Sequence, residues 1–240
     1  MDLKDKAVLL TGGSTGIGRE LARLMKQKGA KVTLTGRNKE RMAAMQEEGF
    51  EVIEADLSNA KGVDALIADI GEREFDILIN NAGQLVDHDF RKGLPDSDAA
   101  DDCIYANLSA PIRLTTALVP MLGRRPEAAI VNVTSGLAIA PAARQPVYCA
   151  TKAGLRAYSL TLREQLKDTN IHVIEALPPV VDTQMNADNL MSKMPAAECA
   201  AQIMDAIESG ADEANIGQVR LLRWAYSLSP ALARRITLRF

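Results

Sequence analysis

The sequence predicts a doubly wound α/β fold of the Rossmann type, a parallel sheet of about seven strands with helices on both faces. Three observations predict it. Short β-branched runs alternate with longer segments of helical period, which argues for βαβ units. The strand cores read as unbroken apolar runs such as VLL, ILI and IVNV, as expected of strands covered on both faces. A glycine-rich turn follows the first of them, at the strand end where open α/β sheets bind phosphates.

In chain order, strands are expected at Ala7–Leu10, Lys31–Thr35, Glu51–Ala55, Asp76–Ile79, Ala129–Val133 and His172–Ala176, with a weaker seventh at Ile216–Leu221. Ile17, Leu21, Leu24 and Lys28 mark one face of the helix after the first strand; Val63, Leu66, Ile67 and Ile70 mark another. A long helix begins near Asp98, and a second runs from about Pro146 to Lys167. The stretch from Asp87 to Ala100 is polar and acidic and reads as a solvated excursion. With no repeat and no linker in 240 residues, a single domain is expected over 1–240. Within it, 184–215 forms a substrate-covering segment and a helix, and 222–240 forms a C-terminal tail.

The bulk composition excludes several classes. A formal net charge of −3 and 47% hydrophobic residues give no footprint for nucleic acid. No run approaches the roughly 18 apolar residues of a membrane span, and the charged start of the chain does not read as a leader. The three cysteines, Cys103, Cys149 and Cys199, fit neither a disulfide framework nor a zinc site, so no metal is expected and a reducing cytoplasm is the simplest setting. A hydrolase is disfavoured: there is no GxSxG elbow, and His88 and His172, the two histidines, sit in no triad-like context.

The turn after the first strand reads TGGSTGIG, residues 11–18. Gly12 permits a tight turn, Gly16 lets backbone approach a pyrophosphate, and Gly18 allows close helix–strand packing. Ser14, Thr15 and Ile17 lie between them, where the opening helix offers free N–H groups and its positive dipole end. The second strand ends in TGR rather than in the acid that accepts a ribose 2′-hydroxyl. Arg37 there suits a 2′-phosphate, which favours NADP(H) over NAD(H). Asp56, with Leu57 beside it, follows the third strand and is placed to meet the adenine amine; its alternative role is capping the next helix. NNAG, residues 80–83, follows the fourth. Ala82 and Gly83 keep the floor flat under the adenosine ribose, and Asn80 and Asn81 can tie strands together.

Tyr148 and Lys152 lie four apart on one helix, which puts both side chains on one face. A free phenol has a pKa near 10, and a neighbouring ammonium favours its ionised form, making its proton available for transfer. Ser135, just past the fifth strand, can donate to a substrate carbonyl oxygen. Asn107, inside the long helix, can hold a local bend and a water that relays protons to Lys152.

These residues, in this order and spacing, resemble the short-chain dehydrogenase/reductase family through about Thr183. The resemblance rests on TGGSTGIG, Asp56, NNAG, Asn107, Ser135 and YCATK at 148–152. It implies a catalytic tetrad of Asn107, Ser135, Tyr148 and Lys152, with Lys152 also binding the nicotinamide ribose. PPVVDT, residues 178–183, resembles the segment that closes over the nicotinamide. Pro178, Val181 and Thr183 would then touch the cofactor, with Pro179 in place of the usual glycine. DFRKG around Phe90 and the run CATKAGLRAYSLTLREQL resemble a bacterial subgroup, the DltE-like oxidoreductases. The implied activity is NADP(H)-dependent reduction of a ketone or aldehyde, or oxidation of the alcohol. The alternative is a non-catalytic NADP(H)-binding regulator or scaffold, whose signature would be a broken tetrad.

The family's usual C-terminal stretch is missing, which disfavours a tetramer. Ala150, Ala153, Gly154 and Ala157 suit close helix contact, so a homodimer is expected. Met185, Leu190, Met191 and Met194 with Leu137 and Ile139 suggest a tolerant, moderately hydrophobic substrate wall. The tail carries Arg220, Arg223, Arg234, Arg235 and Arg239 with Trp224 and Leu232. Packing on its own domain or a partner is favoured over a membrane surface.

Overall fold

In the structure, a computed structural model that describes all residues except His88, Lys92, Leu94, Pro95, Asp188, Leu190 and Phe240, the first six expected strands appear within one residue at each end. They are β1 (Ala7–Thr11), β2 (Lys31–Gly36), β3 (Glu51–Glu54), β4 (Ile77–Asn80), β5 (Ala128–Val133) and β6 (Ile171–Leu177). Two short strands, β7 (Val181–Asp182) and β8 (Met194–Pro195), pair with each other, and β9 (Glu213–Asn215) returns to the edge of the main sheet. The seven-stranded order is β3-β2-β1-β4-β5-β6-β9, with every pairing parallel. The order reverses beside β1, which is flanked by β2 and β4, so a crevice opens at the carboxyl ends of β1 and β4.

Side chains alternate across the sheet with the strand period of two. Val8, Leu10, Ile77, Ile79, Ala129 and Val131 face one core; Leu9, Leu78 and Ile130 face the other. The first core is closed by α1 (Gly16–Gln27) and α2 (Lys39–Glu47), the second by α3 (Ala60–Ile70). The long helix expected near Asp98 runs as α4 (Ser97–Ile104), a π-helical turn (Tyr105–Ser109) and α5 (Ala110–Leu122). Asp96 caps it, accepting from the backbone of Asp98 and Ala99. α6 (Pro146–Leu166) packs with α5 in the second core, and α7 (Ala196–Ser209) joins α1 in the first.

The seventh strand is misplaced by the sequence. It lies at Glu213–Asn215, and the chain from 219 onward forms α8 (Val219–Leu228) and then α9 (Pro230–Thr237). Ile216, Val219, Leu222 and Tyr226 recur every three to four residues, a helical spacing. β9, an edge strand of only three residues, has no apolar run to announce it and is held by register with β6, Glu175 opposite Glu213. Residues 184–215 therefore include a strand of the main sheet, and the tail is helical from Val219. Leu190, expected in the substrate wall, and His88 lie outside the described residues.

Candidate active site

The glycine turn is fixed from below. Thr11 Oγ1 donates to the Ile79 carbonyl (3.2 Å) and accepts from the backbone N–H groups of Asn81 and Ala82 (3.0 Å each). Asn81 Nδ2 donates to the carbonyls of Thr11 and Gly12. This hub ties the end of β1 to the NNAG segment, as expected of Asn81. Asn80 reaches the other way and donates to Asn132 Oδ1 on β5 at 2.8 Å.

Gly12 and Gly16 adopt positive φ (+66° and +53°), a region that L side chains avoid. A methyl group on Gly18 would lie 2.2 Å from the Gly12 carbonyl oxygen, and one on Gly16 2.7 Å from Thr183 Cγ2. Gly18 thus serves the close packing expected of it, and Thr183 sits directly over the turn. Thr15 begins α1 without a side-chain cap, leaving first-turn N–H groups for a ligand. Arg37 is exposed at the end of β2 and has no side-chain bond to any described residue. Gly36 beside it faces Ser14, whose Oγ lies 3.3 Å from where a Gly36 Cβ would stand. Asp56 holds the turn before α3, accepting from Ser58 N, whereas the helix cap itself is Asn59.

The four residues of the expected tetrad come from three places: the π-helical turn, the end of β5 and α6. Asn107 is fully buried in the π-helical turn, a feature that often marks a functional site. Its Oδ1 accepts from Gln84 N (2.7 Å), and its Nδ2 donates to Gln84 O (2.9 Å) and Thr151 Oγ1 (3.1 Å). The residue thus lies where the helix departs from regular α geometry. Gly83 lies against this pair: a Cβ there would stand 3.0 Å from Asn107 Oδ1 and 3.6 Å from Lys152 Nζ. Ser135 follows β5 and accepts from Leu137 N, and its hydroxyl favours the ionised form of the Tyr148 phenol. Lys152, 4% exposed, donates to the Val133 carbonyl at 2.8 Å and lies 5.7 Å from the centre of the Tyr148 ring.

The electrostatics differ from the sequence expectation in one respect. The ammonium was expected to acidify the phenol, but desolvation dominates and Lys152 is not among the groups that shift it. Desolvation pushes Tyr148 up to about 12, and the hydrogen bond with Ser135 draws it only partly back. Desolvation also brings Lys152 down to about 8. Both shifts have one cause, the cost of a charge in a low-dielectric site. At neutral pH the protein alone therefore holds Tyr148 as a phenol and Lys152 as an ammonium.

Several polar residues near the site escaped the sequence reading. Thr134, next to Ser135, donates to Glu175 Oε1 (2.7 Å), and the fully buried Glu175 pairs with Arg156. Arg156 also pairs with Glu213 on β9 (3.1 Å). Its spacing was the available signal: Tyr148, Lys152 and Arg156 recur every four residues along α6. Thr151, the partner of Asn107, carried none.

The residues expected to line the substrate site divide. Leu137 is half-buried, and Met185 and Met191 are exposed beyond Thr183. Ile139 is turned away, packed with Leu177, Val219 and Tyr226. Met194 belongs to β8 and packs on the first core and against Gly217, so it fills interior space. Gly154 faces Leu108 within the chain, whereas Ala150, Ala153 and Ala157 are exposed. Among the described residues, no group of three or more histidine, cysteine or acidic side chains could hold a metal ion.

Comparison with known proteins gives a consistent picture. A family model described as short chain dehydrogenase matches residues 6–193. The chain is 42% identical over 198 residues to an uncharacterized oxidoreductase, DltE, of Bacillus subtilis (strain 168), a match covering 78% of this chain and 75% of that protein. It is 30% identical to an uncharacterized oxidoreductase of Staphylococcus aureus (strain USA300), over 77% of this chain and 82% of that one. Among solved structures, a short-chain dehydrogenase from Sphingobium yanoikuyae in complex with NADPH superposes with a TM-score of 0.80 at 27% identity, covering 87% of each chain. One from Burkholderia cenocepacia J2315 in complex with NADP shares the fold over 99% of each chain, with a TM-score of 0.88 at 24% identity. The chain belongs to the short-chain dehydrogenase family and is an oxidoreductase of that family.

Proposed function

We propose that the chain is an NADP(H)-dependent reductase of ketones or aldehydes, with Tyr148 as proton donor, and that it catalyses the reverse oxidation of the alcohol. The observation that carries this reading is the half-buried Tyr148 with Ser135 acting on its phenol and the buried Lys152 ammonium 5.7 Å from its ring centre. A dinucleotide fits the residues present. The uncapped start of α1 offers N–H groups to a pyrophosphate over the bare backbone of Gly12 to Gly18. Ser14, Thr15, Ile17, Asp56, Leu57, Ala82 and Gly83 line the adenosine side, with Asn80 bracing that segment from behind through Asn132, and Pro178, Val181 and Thr183 close over the other end. The NADPH and NADP complexes of the structural relatives support the same assignment.

When bound, the reduced dinucleotide supplies a hydride to the carbonyl carbon. The protein's part is the proton and the charge. Ser135 Oγ donates to the carbonyl oxygen and stabilises the negative charge that builds there. Tyr148 transfers its phenolic proton to that oxygen, giving the alcohol. Lys152 keeps a positive charge beside the resulting phenolate and holds the ribose hydroxyls. Asn107 fixes the π-helical bend and, with Lys152, holds a water that returns a proton to Tyr148. The test is oxidation of NADPH across a panel of carbonyls, with Tyr148→Phe in parallel. Turnover of moderately hydrophobic ketones or aldehydes is expected; reduction of small charged sugars or acids alone would contradict the substrate class.

Arg37, with no carboxylate beside it, sets the preference for NADP(H). A charge-assisted contact to phosphate contributes about 1.5–3 kcal/mol, so Arg37→Ala weakens NADPH binding by about tenfold or more and leaves NADH binding unchanged. Fluorescence titration of both cofactors checks this; equal effects on both would refute the assignment.

The reading extends to the whole chain as one unit, residues 1–240, working in a reducing cytoplasm, where its three buried thiols stay free. The exposed Ala150, Ala153 and Ala157 on α6 allow a second copy to approach closely, so the chain is a homodimer. Sedimentation at micromolar concentration is expected to give twice the chain mass, and a monomer alone would rule the dimer out.

A further inference from the structure

The tail was expected to pack on its own domain or on a partner, and its inner side packs on the domain. Val219 is buried against Ile139 and Leu177, with Tyr226 packed beside them. A Cβ on Gly136, next to Ser135, would stand 2.9 Å from Val219 Cγ2 and 3.6 Å from Leu222 Cδ2. The outer side is different. Leu221, Trp224 and Leu228 recur at helical spacing along α8, and Leu232, Ile236 and Leu238 continue the strip over α9. All six are large and apolar, and they are 47% to 67% exposed. Scattered exposed leucines need no explanation, whereas six large exposed apolar side chains within eighteen residues of chain, a tryptophan among them, point to a contact surface.

Charge identifies what the strip contacts. Residues 216–240 carry five arginines and no acidic residue, in a chain whose formal net charge is −3. Arg220, Arg223 and Arg234 are engaged within the chain, with Asn215 O, Glu213 and Tyr226 OH respectively. Arg235 on α9 and Arg239 just beyond its end are exposed and make no side-chain bond to any described residue. A two-fold contact of this face with itself would set arginines against arginines, which disfavours a second copy as the occupant. No helix among the described residues is long and apolar enough to cross a membrane, so the pair lies along a surface. The tail is also outside the family match, which ends at residue 193.

We infer that the helix pair α8–α9 docks on an anionic lipid bilayer, its leucines and Trp224 entering the interface while Arg235 and Arg239 meet lipid phosphates. Short amphipathic helices with tryptophan and leucine on one side and arginine at the border bind membranes in this way. The inference does not depend on the proposed catalytic activity, because nothing in it uses the tetrad.

Trp224 is the chain's one tryptophan, so its emission reports the patch directly. The full chain is mixed with phosphatidylcholine vesicles, with and without phosphatidylglycerol. A blue shift and co-sedimentation are expected with the phosphatidylglycerol vesicles only, and salt should weaken both. At roughly fivefold per arginine, Arg235→Gln/Arg239→Gln lowers the vesicle affinity about 30-fold. Leu228→Asn/Leu232→Asn should abolish the blue shift; every position changed is exposed, so the fold is not at risk. No shift with anionic vesicles, or an equal shift with phosphatidylcholine alone, would overturn the inference. So would a lipid-independent shift that disappears on dilution, because it would show that a second copy covers the strip.

Discussion

Tyr148→Phe lowers kcat for carbonyl reduction by about 10²- to 10⁴-fold, the contribution typical of a positioned proton donor, while NADPH affinity and thermal stability change little. The separation follows from where the hydroxyl sits. Its one named partner is Ser135, which keeps its own bond to Leu137 N at 3.1 Å when the phenol is lost. The ring remains to fill the same space, so no cavity opens. Burial holds the phenol up at about 12, so the group is fully protonated at neutral pH and suited to give a proton during reduction. Steady-state kinetics beside NADPH titration checks the expectation; undiminished kcat in the variant would remove Tyr148 from the chemistry.

Lys152→Met has the opposite signature on stability. Folding lowers the lysine's pKa from about 10.5 to about 8 because burial disfavours the ammonium. The folded chain therefore binds fewer protons than the unfolded one between those values, and stability rises with pH across that window. Below pH 8 the full penalty applies, roughly 3 kcal/mol at 1.36 kcal/mol per unit. Loss of the bond to the Val133 carbonyl offsets about 1 kcal/mol of the relief. The variant is expected to be about 2 kcal/mol more stable at pH 7, a Tm roughly 4–8 °C higher for a chain of this size, with the gain vanishing above pH 10.5. Its kcat should fall by about 10²-fold or more. In the native protein kcat/KM should decline above pH 8 as the ammonium is lost, and the variant should lack that limb. Melting curves from pH 6 to 11 decide the matter; a destabilised variant at pH 7 would show that the ammonium supports the fold.

That tension between fold and chemistry was invisible in the residue pattern. The Tyr148–Lys152 spacing placed the pair on one helix face, but not the depth at which Lys152 is buried, its Nζ against the Val133 carbonyl of β5. The signals that were legible share a property: each is local. TGGSTGIG announces itself by composition, and the positive φ of Gly12 and Gly16 follows from residue type. The apolar runs of β1, β4 and β5 announce themselves by length. What was missed is held by distant partners. β9 is three residues of mixed character that become a strand because β6 lies beside them. Glu175 reads as a polar interruption in an apolar strand until Thr134 and Arg156 close around it. Ile139 and Met194 are apolar residues near the site in sequence, and only the placement of α8 and β8 turns them into core.

The central claim is that the Tyr148 phenol and the reduced dinucleotide act in one step on the same carbonyl. Single-turnover reduction with NADPH carrying deuterium at the transferred position, in H2O and in D2O, tests it directly. The account predicts that each label slows the step, that together their effects multiply, and that Tyr148→Phe removes most of the solvent effect. A solvent effect that persists unchanged in Tyr148→Phe would contradict it.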